Sequence, residues 1–283
     1  MTPEQIERDI ADLSNLPTLP AVVKILTSMV EDENVSAGDI GTVLQRDQVL
    51  SAKILRLVNS PVYGFPGRIS SVTHALVLLG FNVVKGLVLG TAVFDTLGKD
   101  ARGLWEHSLG TAVLSRRLAR ELDRRETEEI MVAGLLHDLG KVVLSFLAPE
   151  EFRRACELAA ARRCHIAQAE REVFGVDHTR VGMWVAASWH LPARLSEALA
   201  YHHKPGRAKR FTDAAAVVHL ADILARGMDY GYPGDPTMPP LDHEAYQTLG
   251  ITFEQLDRVL IDAERDFATG VDLLNLGNEG NRA

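Results

Sequence analysis

Residues 134–141 read GLLHDLGK and place His137 and Asp138 side by side, in a segment where nearly every residue from Ile130 to Leu147 is apolar or glycine. Such a segment reads as a helix covered on most sides. An ionised aspartate there is costly unless it meets a cation or strong hydrogen-bond donors. Adjacent helical residues point about 100° apart, so this pair does not share one face and converges only on an ion at the edge between the two directions. Lys141, about one turn further on, projects along the same side and could meet an anion bound there. Gly134 and Gly140 read as leaving room beside the dyad.

A metal needs more than two ligands, and further candidates occur at helical positions. His107 lies on the stripe His107, Thr111, Leu114 and Leu118. Asp222 shares an apolar face with Ala215, Val218 and Ala225. His178 stands near a helix start whose face continues through Val181 and Val185. His202 and His203 end another helix just before Lys204-Pro205, where a turn can aim imidazoles into a cleft. Taken singly, each has an ordinary explanation as a core histidine or a buried salt-bridge partner. His74, His165 and His243 are assigned no role, and His190 and His219 are read as structural. The ordered set His, His-Asp, His, His-His and Asp points to a metal centre.

These residues need helices to hold them, and the pattern supplies almost nothing else. Apolar spacing is helical throughout with hardly any period-2 alternation, so the fold class is all-α. LPTLPAVVKILTSMVED predicts a helix whose start is marked by Pro17 and Pro20. Others follow in VSAGDIGTVLQ, in DQVLSAKILRLVN up to the turn signal Asn59-Ser60-Pro61, and in the apolar stretch SVTHALVLLGFNVVKGLVLGTAVFD. From Gly103 the expected helices are 104–122, 127–147, 150–163, 177–189, 192–203, 212–227 and 252–274. This organisation predicts an N-terminal helical module (1–102), a helical core carrying the site (103–228), and a segment 229–283 made of a Pro/Gly-rich loop, a C-terminal helix and a polar tail. No fixed-period repeat is visible.

Composition narrows the function. With 46% hydrophobic and 24% charged residues, the 283-residue chain is of ordinary globular type. A formal charge of -8 argues against direct nucleic-acid binding. The densest basic run, RRLARELDRR, is interrupted by Glu121 and Asp123 and reads as a solvated helix face. Cys156 and Cys164 lack metal-binding partners at zinc-ribbon spacing and read as reduced thiols. No leader pattern and no uninterrupted apolar span of about 18 residues is seen, so the expectation is a cytoplasmic chain without membrane attachment.

The order His107, His137-Asp138, Asp222 resembles the signature of the HD superfamily of metal-dependent phosphohydrolases, and HDLGK is similar to the HD-GYP form of that motif. The N-terminal half resembles the HDOD signalling family through LPTLPAVVKIL, VLSAKILRLVNSPVYG and ISSVTHALVLLG, with WHLPARLSEALAYHHKP further on. The resemblance spans roughly residues 14–227 and implies an HD-type helical domain with an N-terminal module. It also implies two divalent ions about 3.5 to 4 Å apart. One would be held by His107, His137 and Asp222, the other by His178, His202 and His203, with Asp138 bridging and Lys141 stabilising a phosphate. Imidazole-rich coordination without thiolates favours Fe or Mn, with Ni, Zn or Mg as alternatives. Two functions follow: a regulatory protein with a signalling partner or a small phosphorylated ligand, which is preferred, or an active phosphodiesterase. The match has departures. The His-His pair runs into Lys204-Pro205 rather than toward Glu and Gly-Tyr-Pro, and Gly231-Tyr232-Pro233 falls beyond Asp222, where it reads as a coincidental loop tripeptide. A glutamate that supports a third metal in some relatives would fall at Gly103. The loop 229–243 and the N-terminal module are candidates for shielding the metals.

Overall fold

The computed structural model describes residues 1–12, 36–45, 47–60, 69–96 and 102–275. Every regular element among them is helical. In the N-terminal part these are α1 (Pro3–Asp12), α2 (Ala37–Gln45), α3 (Gln48–Val58), α4 (Val72–Leu79) and α5 (Phe81–Thr96). Then come α6 (Arg102–Glu121), α7 (Thr127–Leu136), α8 (Leu139–Leu147), α9 (Pro149–Arg162), α10 (Ile166–Phe174), α11 (His178–Ser188) and α12 (Ala193–Tyr201). A 3₁₀ turn (Pro205–Arg207) leads to α13 (Thr212–Gly227), α14 (His243–Leu249) and α15 (Phe253–Asn275). The helix expected in LPTLPAVVKILTSMVED lies outside the described residues.

Local chemistry sets many of the boundaries. Side-chain oxygens of Asp47, Ser71, Asp177 and Asp242 accept from the backbone N–H of Leu50, His74, Arg180 and Ala245, satisfying donors that an N-terminus leaves unpaired. Pro149 opens α9, where its missing N–H costs nothing. Gly175 closes α10 with φ 75°, a left-handed conformation that a β-carbon disfavours.

Helix α6 packs on α7, α13 and α15; α7 also meets α5, α12 and α13. Helix α11 lies against α8 and α12 and is covered by α1. The core therefore closes where α6, the α7–α8 junction, α11, α12 and α13 come together. From the N-terminal part, Lys85 on α5 donates to the carbonyls of Trp189 at 2.7 Å and His190 at 3.2 Å, just beyond the end of α11. Burial pushes its ammonium down to about 8.

Two expectations need correction. The helix predicted over 127–147 is two helices broken at His137 and Asp138. Asp138 has φ -95° and ψ 14°, and Lys141 N–H donates to its carbonyl at 2.9 Å in a tightened turn. The whole stretch is apolar and long enough to cross a membrane, but it is split by this dyad and 83% of its most apolar window is buried. Gly134 and Gly140 do not leave room for a ligand; they let helices approach. A β-carbon at Gly140 would lie 2.0 Å from the carbonyl oxygen of His178, and one at Gly134 would lie 2.5 Å from Ser115 Oγ. Helices α1, α10 and α14 were not anticipated. On α10 the buried face is Ile166, Ala167, Ala169, Glu170 and Phe174, so an acid interrupts the apolar stripe that would have betrayed it.

Candidate metal centre

The break between α7 and α8 turns both members of the dyad toward one point, with His137 Nε2 3.2 Å from Asp138 Oδ2. Helix α6 brings His107 Nε2 to 3.0 Å from Asp222 Oδ1 and 3.8 Å from Asp138 Oδ2. His178, first residue of α11, has Nε2 3.5 Å from Asp138 Oδ1, and His202 Nε2, just past α12, is 3.9 Å from the same oxygen. His203 places Nε2 3.0 Å from His178 Nε2 and Nδ1 3.9 Å from Asp222 Oδ2. Five separate segments thus meet within one cluster, and all its members except His203 are fully buried. The potential ligand atoms fall into three groups whose members lie within 4.8 Å of one another: His107, His137 and Asp222; His178, His202 and His203; and His137, Asp138 and His202.

Surrounding contacts orient the rings. His137 Nδ1 meets the carbonyl of Gly134 at 2.7 Å, and His202 Nδ1 that of Leu199 at 3.0 Å. His178 Nδ1 meets Glu170 Oε2 at 2.6 Å. With Nδ1 engaged, Nε2 of each ring faces the cluster, and His137 Nε2, His202 Nε2, His203 Nδ1, Asp138 Oδ1 and Asp222 Oδ2 are buried without a hydrogen-bond partner. Orphaned acceptors are expensive in a protein interior, and their convergence here fits a cation.

The electrostatics agree. Burial would raise Asp138, but His137 and Lys141 outweigh it and hold the carboxyl well below its usual range. Burial is likewise overcome at Asp222, chiefly by Arg226 and then by His107. Burial pushes His202 down to about 3 and His107, His178 and His203 below their ordinary value, which keeps these imidazoles neutral and able to donate a lone pair. At His137 burial acts the same way, but Asp138 and Asp222 draw it upward.

Other side chains packed around the cluster were missed in the sequence. Arg226, four residues after Asp222 on α13, donates to Asp222 Oδ1 at 3.0 Å; that spacing was legible. Glu170 is fully buried and pushed by burial up to about 8. His165, assigned no role, has its ring 4.5 Å from that of His203. His219, read as structural, has its Nδ1 2.7 Å from the carbonyl of His202 and its Nε2 accepting from Asp242 N–H. The Gly231-Tyr232-Pro233 tripeptide lies on the rim of the cluster. Lys141 Nζ donates to Asp138 Oδ2 at 2.7 Å and to the Pro233 carbonyl at 2.9 Å. Tyr232 N–H donates to the carbonyl of Gly103, and Gly231 adopts φ 69° where a β-carbon would strike the backbone of Gly103 and His107. Arg226 reaches the same loop through Thr237 O at 2.8 Å and Asp235 Oδ2 at 3.3 Å.

The described residues form an all-helical core that gathers buried histidines and aspartates at a broken His-Asp helix. The chain belongs to the HDOD domain family, whose sequence model matches residues 16–205. A solved HDOD domain protein of unknown function from Geobacter sulfurreducens is 26% identical, with TM-score 0.71 over 95% of this chain and 97% of that one. The fold is shared with a proposed phosphohydrolase from Shewanella amazonensis (23% identical, TM-score 0.63, 97% of this chain and 92% of that one). It is also shared with a proposed signal transduction protein from Marinobacter aquaeolei (22% identical, TM-score 0.71, 94% and 61%). An uncharacterised protein of Treponema pallidum is 24% identical over 231 residues, which are 80% of this chain and 45% of that protein. The chain thus spans about half the length of that relative.

Proposed function

We propose that the chain is an HDOD-type regulatory protein built around a divalent-metal centre with two metal positions. The observation that carries this is the convergence of His107, His137, Asp138, His178, His202, His203 and Asp222, all but His178 presenting a buried atom without a hydrogen-bond partner. Each carboxylate spends one oxygen on a cation, Asp138 on Lys141 and Asp222 on Arg226, and keeps the other free. His107, His137 and Asp222 would hold one ion and His178, His202 and His203 the other, with Asp138 between. Fe or Mn suits this donor set best, with Ni, Zn or Mg as alternatives. Divalent ions bound there would lower the pKa of coordinated water and neutralise charge on a phosphoryl oxygen.

Because Lys141 and Arg226 already balance Asp138 and Asp222, divalent ions would leave the centre positive. That suits a phosphorylated small ligand. The regulatory reading is supported by what Lys141 does in this chain: its ammonium is spent on Asp138 and on the Pro233 carbonyl of the overlying loop, so it is not poised for substrate. The N-terminal helices, tied to the core through Lys85, are the surface we assign to a signalling partner. The alternative, an active metal-dependent phosphodiesterase, is favoured by the completeness of the ligand set. An assay on a generic aryl phosphodiester with added Mn or Fe separates the two. Weak or absent turnover supports the regulatory reading. Robust metal-dependent hydrolysis, lost in Lys141→Ala and His137→Ala, would make the protein an enzyme.

A further inference from the structure

His137 and His202 are oriented by backbone carbonyls, but His178 is oriented by a carboxylate. Glu170 Oε2 sits 2.6 Å from His178 Nδ1 and accepts the backbone N–H of the same residue at 2.8 Å. Glu170 comes from α10, which contributes none of the proposed ligands, and it is fully buried on an apolar face with Ile166, Ala169 and Phe174. A buried acid in such a face is costly, and only Oε2 finds partners, while Oε1 is buried without one. Both of its contacts go to one residue, whose Nε2 faces Asp138 Oδ1 at 3.5 Å and His203 Nε2 at 3.0 Å.

Building on the metal-centre reading above, we infer that Glu170 is the positioning residue of the His178, His202 and His203 position. Its Oε2 accepts the Nδ1–H of His178 as a hydrogen bond, which turns the Nε2 lone pair toward the ion and strengthens it as a donor. The two metal positions are therefore unequal: this one depends on α10, and the one at His107, His137 and Asp222 does not. Carboxylates that hold a ligand imidazole in this way typically contribute about 10- to 100-fold in metal affinity.

The test is a zinc titration of the full chain against a chromophoric chelator, for wild type, Glu170→Gln and Glu170→Leu, with the metal-free melting temperature of each as a check on folding. Glutamine keeps the size and one accepting oxygen but loses the charge. Wild type should take up two zinc ions. Glu170→Gln should keep both, with one weakened about 10-fold or more. Glu170→Leu should keep one tight ion. Two ions at wild-type affinity in Glu170→Gln and in any Glu170→Leu that folds would overturn the assignment, as would equal weakening of both ions. A wild-type chain that binds no zinc would instead contradict the metal centre itself.

Discussion

At the scale of single residues, Asp138 is the point on which the site turns, because its two oxygens face different partners. Oδ2 meets His107, His137 and Lys141, while Oδ1 faces His178 and His202 without a hydrogen-bond donor. Asp138→Ala should abolish metal uptake at both positions, and the melting temperature of metal-loaded protein should fall to that of the metal-free form. At a free metal concentration 100 times Kd the stabilisation lost is about 2.7 kcal/mol. The same substitution leaves the Lys141 ammonium buried without its counter-ion, which costs about 3 to 5 kcal/mol on its own. The double variant Asp138→Ala/Lys141→Met separates the two effects, since it should recover stability without recovering metal. The histidines add a pH dependence to the metal-free protein. His202 has a folded pKa of about 3 against an ordinary value near 6.5. Between these values the unfolded chain binds more protons, so the stability it contributes is present above pH 6.5 and is lost as pH falls toward 3. Urea unfolding at pH 7 and pH 5 should show that loss, and His202→Gln should reduce it.

At the scale of elements, most of the helices and the seven side chains that the core gathers into one cluster were legible in the sequence, because apolar periodicity marks inner faces and the dyad stands out within one. The break at His137 and Asp138 was not legible, since the apolar run from Ile130 to Leu147 continues through it and no Gly or Pro sits at the junction. Helix α10 was hidden by Glu170 on its buried face, and with it the placement of His165 beside His203. The role of Gly231-Tyr232-Pro233 depends on a contact between positions 141 and 233, which no local pattern encodes. That loop makes a direct prediction. Replacing residues 231–240 with a short Gly/Ser linker removes the carbonyls that hold Lys141 and Arg226. Metal stoichiometry should be unchanged and phosphodiester turnover should rise above that of the parent chain. Turnover that stays at the parent level would show that the loop does not restrain the site. At the other side of the core, Lys85 joins α5 to the end of α11. Its folded pKa is about 8 against an ordinary 10.5, so between these values the unfolded chain holds more protons and stability rises with pH. The wild type should therefore gain in melting temperature relative to Lys85→Met as pH increases from 8 to 10.5. A constant difference would mean that Lys85 is not held as described.

At the scale of the whole molecule, the helical core does two things with one arrangement. It buries an apolar interior drawn from nearly every helix, and it closes that interior around a knot of buried polar groups, several of which lack a hydrogen-bond partner. The broken helix, the loop carbonyl on Lys141 and the Arg226 link from Asp222 to Thr237 connect the knot to the surface through a few named contacts. A regulatory protein needs such connections, because metal or ligand at the centre then biases the segments that cover it. The central claim is that the centre is a metal site with two positions. Metal analysis of the full chain, purified without chelators, tests it most directly. The account predicts close to two divalent transition-metal ions per chain, and near zero in Asp138→Ala. A folded wild-type chain that carries no such metal and takes up none when Mn or Fe is supplied would contradict it.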